Sequence, residues 1–217
     1  MTNCVIPTTI VDDFYDDPIN VRKSALKQTF NKDSKNTWPG TRSPELHIID
    51  NLLFQHTINK FLSLYYDFNT TKVAWKATAN FQLVDKSYDH GWIHTDEHSL
   101  VTGIIYLNDY NLPETGTTIY QAKSVGTRIV NSVEKEQYIK NPTNKDLLKY
   151  RDENNNQFEE SVVIKNKFNR LVAFDSHLFH AANDFSILDD VERLTLVFFI
   201  TKLEVNNYPI VKMRRFI

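Results

Sequence analysis

The chain has 217 residues, 41% hydrophobic and 24% charged, an ordinary globular balance with room for one sizeable core or two small ones. Its formal net charge of −2 argues against duplex nucleic acid as a partner. The single cysteine, Cys4, excludes an internal disulfide and a Cys-based zinc site, and no apolar run of about 18 residues is present to span a membrane.

That lone cysteine suits a reducing interior, and the first residues lack the pattern of a signal peptide, so a cytoplasmic protein is expected. The basic stretch Lys212-Met213-Arg214-Arg215 reads as a solvated tail. With 14 Phe, 10 Tyr and 3 Trp the core is expected to be rich in strands, because flat rings suit a pleated, half-buried surface.

Two helices come first. Asp17-Pro18 reads as a cap followed by proline at the first helical position, and Ile19, Val21, Ala25 and Leu26 continue an apolar stripe to about Phe30. From Asn51 to Tyr66, Leu52, Leu53, Ile58, Phe61, Leu62 and Tyr65 recur at helical spacing. Between the two lies the turn-rich run from Trp38 to Pro44. At Val73 the period changes, and Val73, Trp75, Ala77, Ala79 and Phe81 alternate as in a strand. Short strands are expected at Trp92 to Asp96, Leu100 to Leu107, Thr117 to Gln121 and Thr127 to Val130. More follow at Ser161 to Ile164, Leu171 to Phe174, Leu178 to Ala182 and Arg193 to Thr201. The polar stretch from about Glu134 to Glu160 reads as an insertion or lid loop, with a short helix near Lys145 to Arg151. Helices followed by many short strands give an α+β class: helices packed on a β-sandwich or jelly-roll barrel.

The chemistry concentrates in two places. In Gly91-Trp92-Ile93-His94-Thr95-Asp96-Glu97, an extended backbone turns His94 and Asp96 to one face, within reach of one metal ion. An imidazole and a carboxylate suit a divalent ion such as Fe(II). By itself His-x-Asp is a common tripeptide, and a lone histidine is more often a hydrogen-bonded surface residue than a ligand. Downstream, His177 and His180 compete for a third ligand position. Three apart in a strand, they face opposite ways. His180 lies within the apolar run Leu178 to Ala182, where a buried imidazole needs a partner, whereas His177 follows the polar Asp175-Ser176 pair. His98 is another candidate ligand near the first pair, though it reads better as a loop residue at the pocket mouth. Thirteen residues after His180, Arg193 opens the apolar strand Arg193-Leu194-Thr195-Leu196-Val197-Phe198-Phe199. A cation there needs an anion: a bound carboxylate, gripped in two-point fashion with help from Thr195, or an internal salt bridge to Glu192 or Asp184.

The ordered set His94-x-Asp96, Ile104-Ile105-Tyr106-Leu107-Asn108, Gly116-Thr117-Thr118-Ile119-Tyr120, His180 and Arg193-x-Thr195 resembles the 2-oxoglutarate/Fe(II)-dependent dioxygenase superfamily, nearest its prolyl-hydroxylase-like branch and its small viral and bacterial members. The resemblance covers about Ala79 to Thr201. It implies a double-stranded β-helix, a cupin-like jelly roll. It also implies oxidative decarboxylation of 2-oxoglutarate to succinate and carbon dioxide, coupled to hydroxylation of a substrate with dioxygen. By position, His94, Asp96 and His180 become the iron ligands and Arg193 the 2-oxoglutarate anchor. The sequence departs from the pattern at Thr115, which stands where the family's turn has a second glycine. It departs again in a longer gap from His180 to Arg193 and in a long separation from His94 to His180.

One oxygenase domain over residues 1–217 is expected: helical support at 1–70 and a β core at 73–203 carrying the insertion at about 134–160. Tyr106 and Tyr120 could each donate a hydroxyl to the co-substrate or simply pack, and Gln82 could contact it or satisfy a backbone group. Arg42 and Trp38, in the turn-rich loop, are candidate contacts for a small-molecule or peptidyl substrate, with surface solvation as the plain alternative. A silent binding protein on the same fold, or a cupin-like metal enzyme without 2-oxoglutarate, are the competing readings.

Overall fold

The computed structural model describes residues 6–33, 37–110, 112–124, 126–127 and 132–206. In chain order its elements are β1 (Thr9–Val11), α1 (Pro18–Leu26), β2 (Thr41–Arg42), α2 (Leu46–Ile49), α3 (Asn51–Leu62), β3 (Val73–Val84), β4 (Val101–Tyr106) and β5 (Thr117–Ala122). They continue with α4 (Ser132–Lys140), α5 (Lys145–Asn155), β6 (Phe158–Ile164), β7 (Leu171–Asp175), β8 (Phe179–Ala182) and β9 (Arg193–Val205). Among the described residues, no helix is long and apolar enough to cross a membrane.

Both expected N-terminal helices form, and their caps show why they start where they do. The Asp17 carboxylate accepts from Asn20 N at 3.1 Å and Pro18 opens α1; Asp50 accepts from Leu53 N at 2.9 Å at the head of α3. Both helices stop short of the expected ends, at Leu26 rather than Phe30 and at Leu62 rather than Tyr66. Beyond Leu62 the chain turns, and the apolar residues there, Tyr65 and Tyr66, are buried without helical backbone.

All strand pairs are antiparallel. A six-stranded sheet runs β1-β7-β4-β9-β3-β2 and a three-stranded sheet runs β6-β5-β8. The helices cover one face of the large sheet. Ile58, Phe61 and Leu62 of α3 share a core with Ala79 and Phe81 of β3, Val101 and Ile105 of β4, and Leu194, Leu196, Phe198 and Ile200 of β9. The Phe61 and Phe198 rings meet at 5.3 Å. Each such large side chain contributes roughly 2 kcal/mol by leaving water. Because strand side chains alternate, the residues between these positions face the opposite way: Gln82 and Val84, Thr102, Ile104 and Tyr106, and Arg193, Thr195, Val197 and Phe199.

Three expectations change. The segment Trp92 to Asp96 is not a strand. It touches β8 through a single-residue bridge, His94 to His180, and just before it His90 bridges to Asp184 beyond the end of β8. The insertion is not a loop: α4 and α5 fold against the body, with Tyr138, Ile139 and Leu147 buried alongside Tyr88, Trp92, Phe185 and Leu188. Its last residues also begin β6, which starts at Phe158 rather than Ser161. The strand expected at Thr127 to Val130 lies mostly outside the described residues, as does the basic stretch at Lys212 to Arg215.

Candidate metal centre

The structure brings His94, Asp96 and His180 together, with one ligand atom from each lying within 4.8 Å of the others. His180 comes from β8, and the segment carrying His94 and Asp96 is stitched alongside it. His94 N donates to His180 O at 3.0 Å, His180 N donates to His94 O at 2.9 Å, and Asp96 N donates to Ser176 O at 2.8 Å. Gly91 permits the approach: its N–H donates to Ala182 O at 3.1 Å, and a Cβ there would sit 2.6 Å from that same oxygen.

Both imidazoles are oriented by backbone carbonyls. Nδ1 of His94 lies 2.7 Å from Trp92 O, and Nδ1 of His180 lies 2.9 Å from Leu178 O. A carbonyl only accepts, so each Nδ1 carries the proton and each Nε2 presents its lone pair. Those Nε2 atoms face the Asp96 carboxylate, at 3.6 Å for His94 and 3.3 Å for His180. Phe174 packs on the His180 ring at 4.6 Å.

The Asp96 carboxylate is itself held: Thr102 Oγ1 donates to Oδ2 at 2.6 Å, and Thr102 Oγ1 lies 2.9 Å from Ser176 Oγ. Burial pushes the Asp96 carboxyl up, but the facing imidazoles of His180 and His94 and the Thr102 hydrogen bond together hold it below the usual carboxylate range. His94 is held well below the usual imidazole range, first by burial and then by the ammonium of Lys135, with the neighbouring His180 ring acting in the same direction. A neutral imidazole beside an ionised carboxylate is the protonation pattern a divalent metal requires.

The other expected residues divide. Register places Arg42, Gln82, Thr195 and Tyr106 in one row across β2, β3, β9 and β4. Arg193, two residues from Thr195, shares that face. It is 5% exposed; its guanidinium lies 5.2 Å from the Tyr106 ring centre and 5.3 Å from that of Phe185, and its Nε and Nη2 are buried without a hydrogen-bond partner. The internal salt bridge to Glu192 or Asp184 is not formed, and no ion pair joins Arg193 to any described carboxylate. Burial lowers the guanidinium from its ordinary value, with Tyr106 opposing. Tyr106 spends its hydroxyl on Thr117 Oγ1 at 2.9 Å, and Gln82 Nε2 donates to Pro39 O at 2.7 Å, tying the turn-rich loop to the sheet. Arg42 stacks on Trp38, 4.3 Å from its ring centre.

Tyr120 is not brought to this face. It pairs with Phe179 while its neighbour Ile119 pairs with His180, and it packs in a separate cluster with Ile93, Phe158 and Ala181. His98 is exposed in a turn, and His177 is exposed with Nδ1 3.1 Å from Asp175 Oδ1. The sequence reading did not single out Thr102, Ser176 or Lys135. The strand period alone places Thr102 on the site face, while Lys135 had no local signal. A second cluster, Asp89, His90 and Asp184, also has three ligand-type atoms in proximity, but Arg151 already pairs with Asp89 at 3.0 Å.

Comparison with known proteins places this geometry in context. Residues 2–200 match the model of a family described as a family of unknown function (DUF6445). No curated protein matches the chain. Among solved structures, HygX from Streptomyces hygroscopicus with nickel, 2-oxoglutarate and hygromycin B bound is similar, with a TM-score of 0.53 at 11% identity, covering 90% of this chain and 83% of that one. AviO1 from Streptomyces viridochromogenes gives 0.52 at 11% identity, covering 92% and 91%. A prolyl hydroxylase from Trichoplax adhaerens, in complex with a hypoxia-inducible-factor peptide fragment, gives 0.51 at 14% identity, covering 92% and 84%. At these identities the likeness is one of fold, and at that level it agrees with the resemblance read from the sequence.

Proposed function

The chain belongs to a family of unknown function (DUF6445), and within it we propose that this protein is an Fe(II)- and 2-oxoglutarate-dependent oxygenase acting on a small-molecule or peptidyl substrate. One observation carries the reading: two imidazole Nε2 atoms and a carboxylate converge at one point, and a buried guanidinium with unpaired N–H groups shares the interior.

The residues fit both groups. His94, Asp96 and His180 would hold the iron, leaving the remaining positions for co-substrate and dioxygen. Arg193 would grip the distal carboxylate of 2-oxoglutarate through its fork, with Thr195 on the same strand face. When bound, iron and 2-oxoglutarate supply oxidative decarboxylation to succinate and carbon dioxide, coupled to oxidation of a substrate C–H bond, usually hydroxylation. The chain's own part is positioning. The Trp92 and Leu178 carbonyls fix the imidazoles, Thr102 fixes the carboxylate, and Ile104, Tyr106, Val172 and Phe174 keep water from the interior.

We read the two sheets as the halves of a double-stranded β-helix and residues 1–217 as one oxygenase domain. The nickel and 2-oxoglutarate bound by HygX support the cofactor assignment. Its hygromycin B and the peptide of the prolyl hydroxylase show that comparable folds accept either substrate type.

The test is turnover. Iron-loaded protein given 2-oxoglutarate and air should release succinate slowly even without a primary substrate, and Asp96→Ala should release none. Equal succinate from both proteins, or none from the wild type, sinks the reading.

A further inference from the structure

Two more cations reach this interior, from different elements. Arg42 enters from β2. Its side chain lies between Trp38, at 4.3 Å, and Phe199, at 5.6 Å, and its Nε is buried without a hydrogen-bond partner. The Asp96 carboxylate is the first charge that supports it, against a burial that lowers the guanidinium to about 10. Asp33 lies in the same field, but its Oδ2 already accepts from Thr37 N at 2.8 Å and Thr37 Oγ1 at 2.6 Å.

Lys135 enters from α4. That helix lies across the segment leading to His94: the Tyr138 hydroxyl donates to Tyr88 O and to His90 O, and its ring lies 5.8 Å from Trp92. Lys135 stands one turn before Tyr138 and so shares its helix face. It is half-buried, and its ammonium is felt by both Asp96 and His94. No ion pair joins Arg42 or Lys135 to any described carboxylate.

Charge bookkeeping makes these two cations informative. In the loaded site, the two positive charges of iron and that of Arg193 are cancelled by Asp96 and dianionic 2-oxoglutarate. Arg42 and Lys135 are not needed for that balance, and Asp33 and Glu136 offset them only in part; both face a low-dielectric interior, where uncompensated charge is costly.

We propose that Arg42 and Lys135 are the specificity-determining pair for the primary substrate, which is a small molecule carrying a carboxylate or phosphate group. The inference rests on the oxygenase reading and names the substrate class of that same site. A planar, stacked guanidinium and a mobile ammonium form a jaw for such a group, the one fixing its orientation and the other adding charge.

The test uses protein loaded with redox-silent Mn(II) and 2-oxoglutarate, whose binding by the wild type is measured first. Failure there counts against the oxygenase reading and not against the anion jaw. Matched probes are then titrated with and without 2-oxoglutarate: O-phospho-L-serine against L-serine, and L-glutamate against L-glutamine. Melting temperature and tryptophan fluorescence are followed, with Trp38→Phe identifying the reporter. At least one anion should bind while its neutral partner does not. The two pairs separate a phosphate preference from a carboxylate preference. Arg42→Gln and Lys135→Gln should each weaken that anion by about tenfold or more, with 2-oxoglutarate affinity held within about threefold. Lys135→Gln alone suffices should the buried Arg42 variant fail to fold. Equal responses within every pair, no response to any probe, or loss of 2-oxoglutarate rather than of the anion overturns the proposal.

Discussion

His94 and His180 exchange both backbone hydrogen bonds, at 3.0 and 2.9 Å, and their rings stand 4.5 Å apart. The spacing of the two imidazoles is therefore set by the main chain and does not wait for a metal. Gly91 holds this arrangement from one end. Gly91→Ala should drive a methyl into Ala182 O, cost about 1–3 kcal/mol and shift His94 off its partner. Thermal melts and metal titration together check this; unchanged metal affinity would mean that the His94 segment is held by something else.

Thr102 aims the metal-facing carboxylate. Thr102→Val keeps the shape but removes the 2.6 Å donor to Asp96. Metal affinity should fall on the order of 10- to 100-fold, as for other groups that orient a ligand, with little change in melting temperature. Competition against a calibrated chelator measures it.

Arg193 is a buried cation with no protein anion, so it costs stability in the empty protein. Arg193→Met should raise the melting temperature of the metal-free protein and weaken 2-oxoglutarate by about a hundredfold or more. A drop in melting temperature without loss of 2-oxoglutarate would assign Arg193 to packing alone.

Asp12 ties the N-terminal strand region to the loop before β7, pairing with Arg170 at 2.6 Å and Lys167 at 2.9 Å. Arg170, then Lys167, lower its carboxyl to about 2. Because the folded value lies below the unfolded one, the stabilisation is present above about pH 4 and disappears as pH falls toward 2. The pair is largely solvent-exposed, so Asp12→Asn should cost only about 0.5–1 kcal/mol at pH 7. The gap between denaturant melts of the two proteins should narrow from about pH 4 downward and close as pH falls through about 2; a gap of undiminished size at about pH 2 would contradict the assignment.

What the sequence made legible follows from periodicity. Alternation in Val73 to Phe81 and the apolar run that Arg193 opens marked two central strands, and strand parity with apolar surroundings chose His180 over His177, which the structure leaves exposed. Strands of two or three residues, β1 and β2, have no period to read, and neither does the four-residue α2. The insertion misled because its helices are polar on average: a few residues, Tyr138, Ile139 and Leu147, do the burying. Alternation also overstated Trp92 to Asp96, where one bridge and a close-packed glycine replace a strand. Lys135 was invisible because it reaches the centre through tertiary packing, while Tyr120 misled because one residue of strand register reverses its face.

The central claim is that His94, Asp96 and His180 hold iron while Arg193 holds 2-oxoglutarate beside it. Anaerobic addition of Fe(II) and then 2-oxoglutarate should produce a visible metal-to-ligand charge-transfer band. That band should be absent in Asp96→Ala at any 2-oxoglutarate concentration, and recovered in Arg193→Ala only at much higher concentration. A wild-type protein that shows no band, or an Asp96→Ala protein that keeps it, would contradict the account.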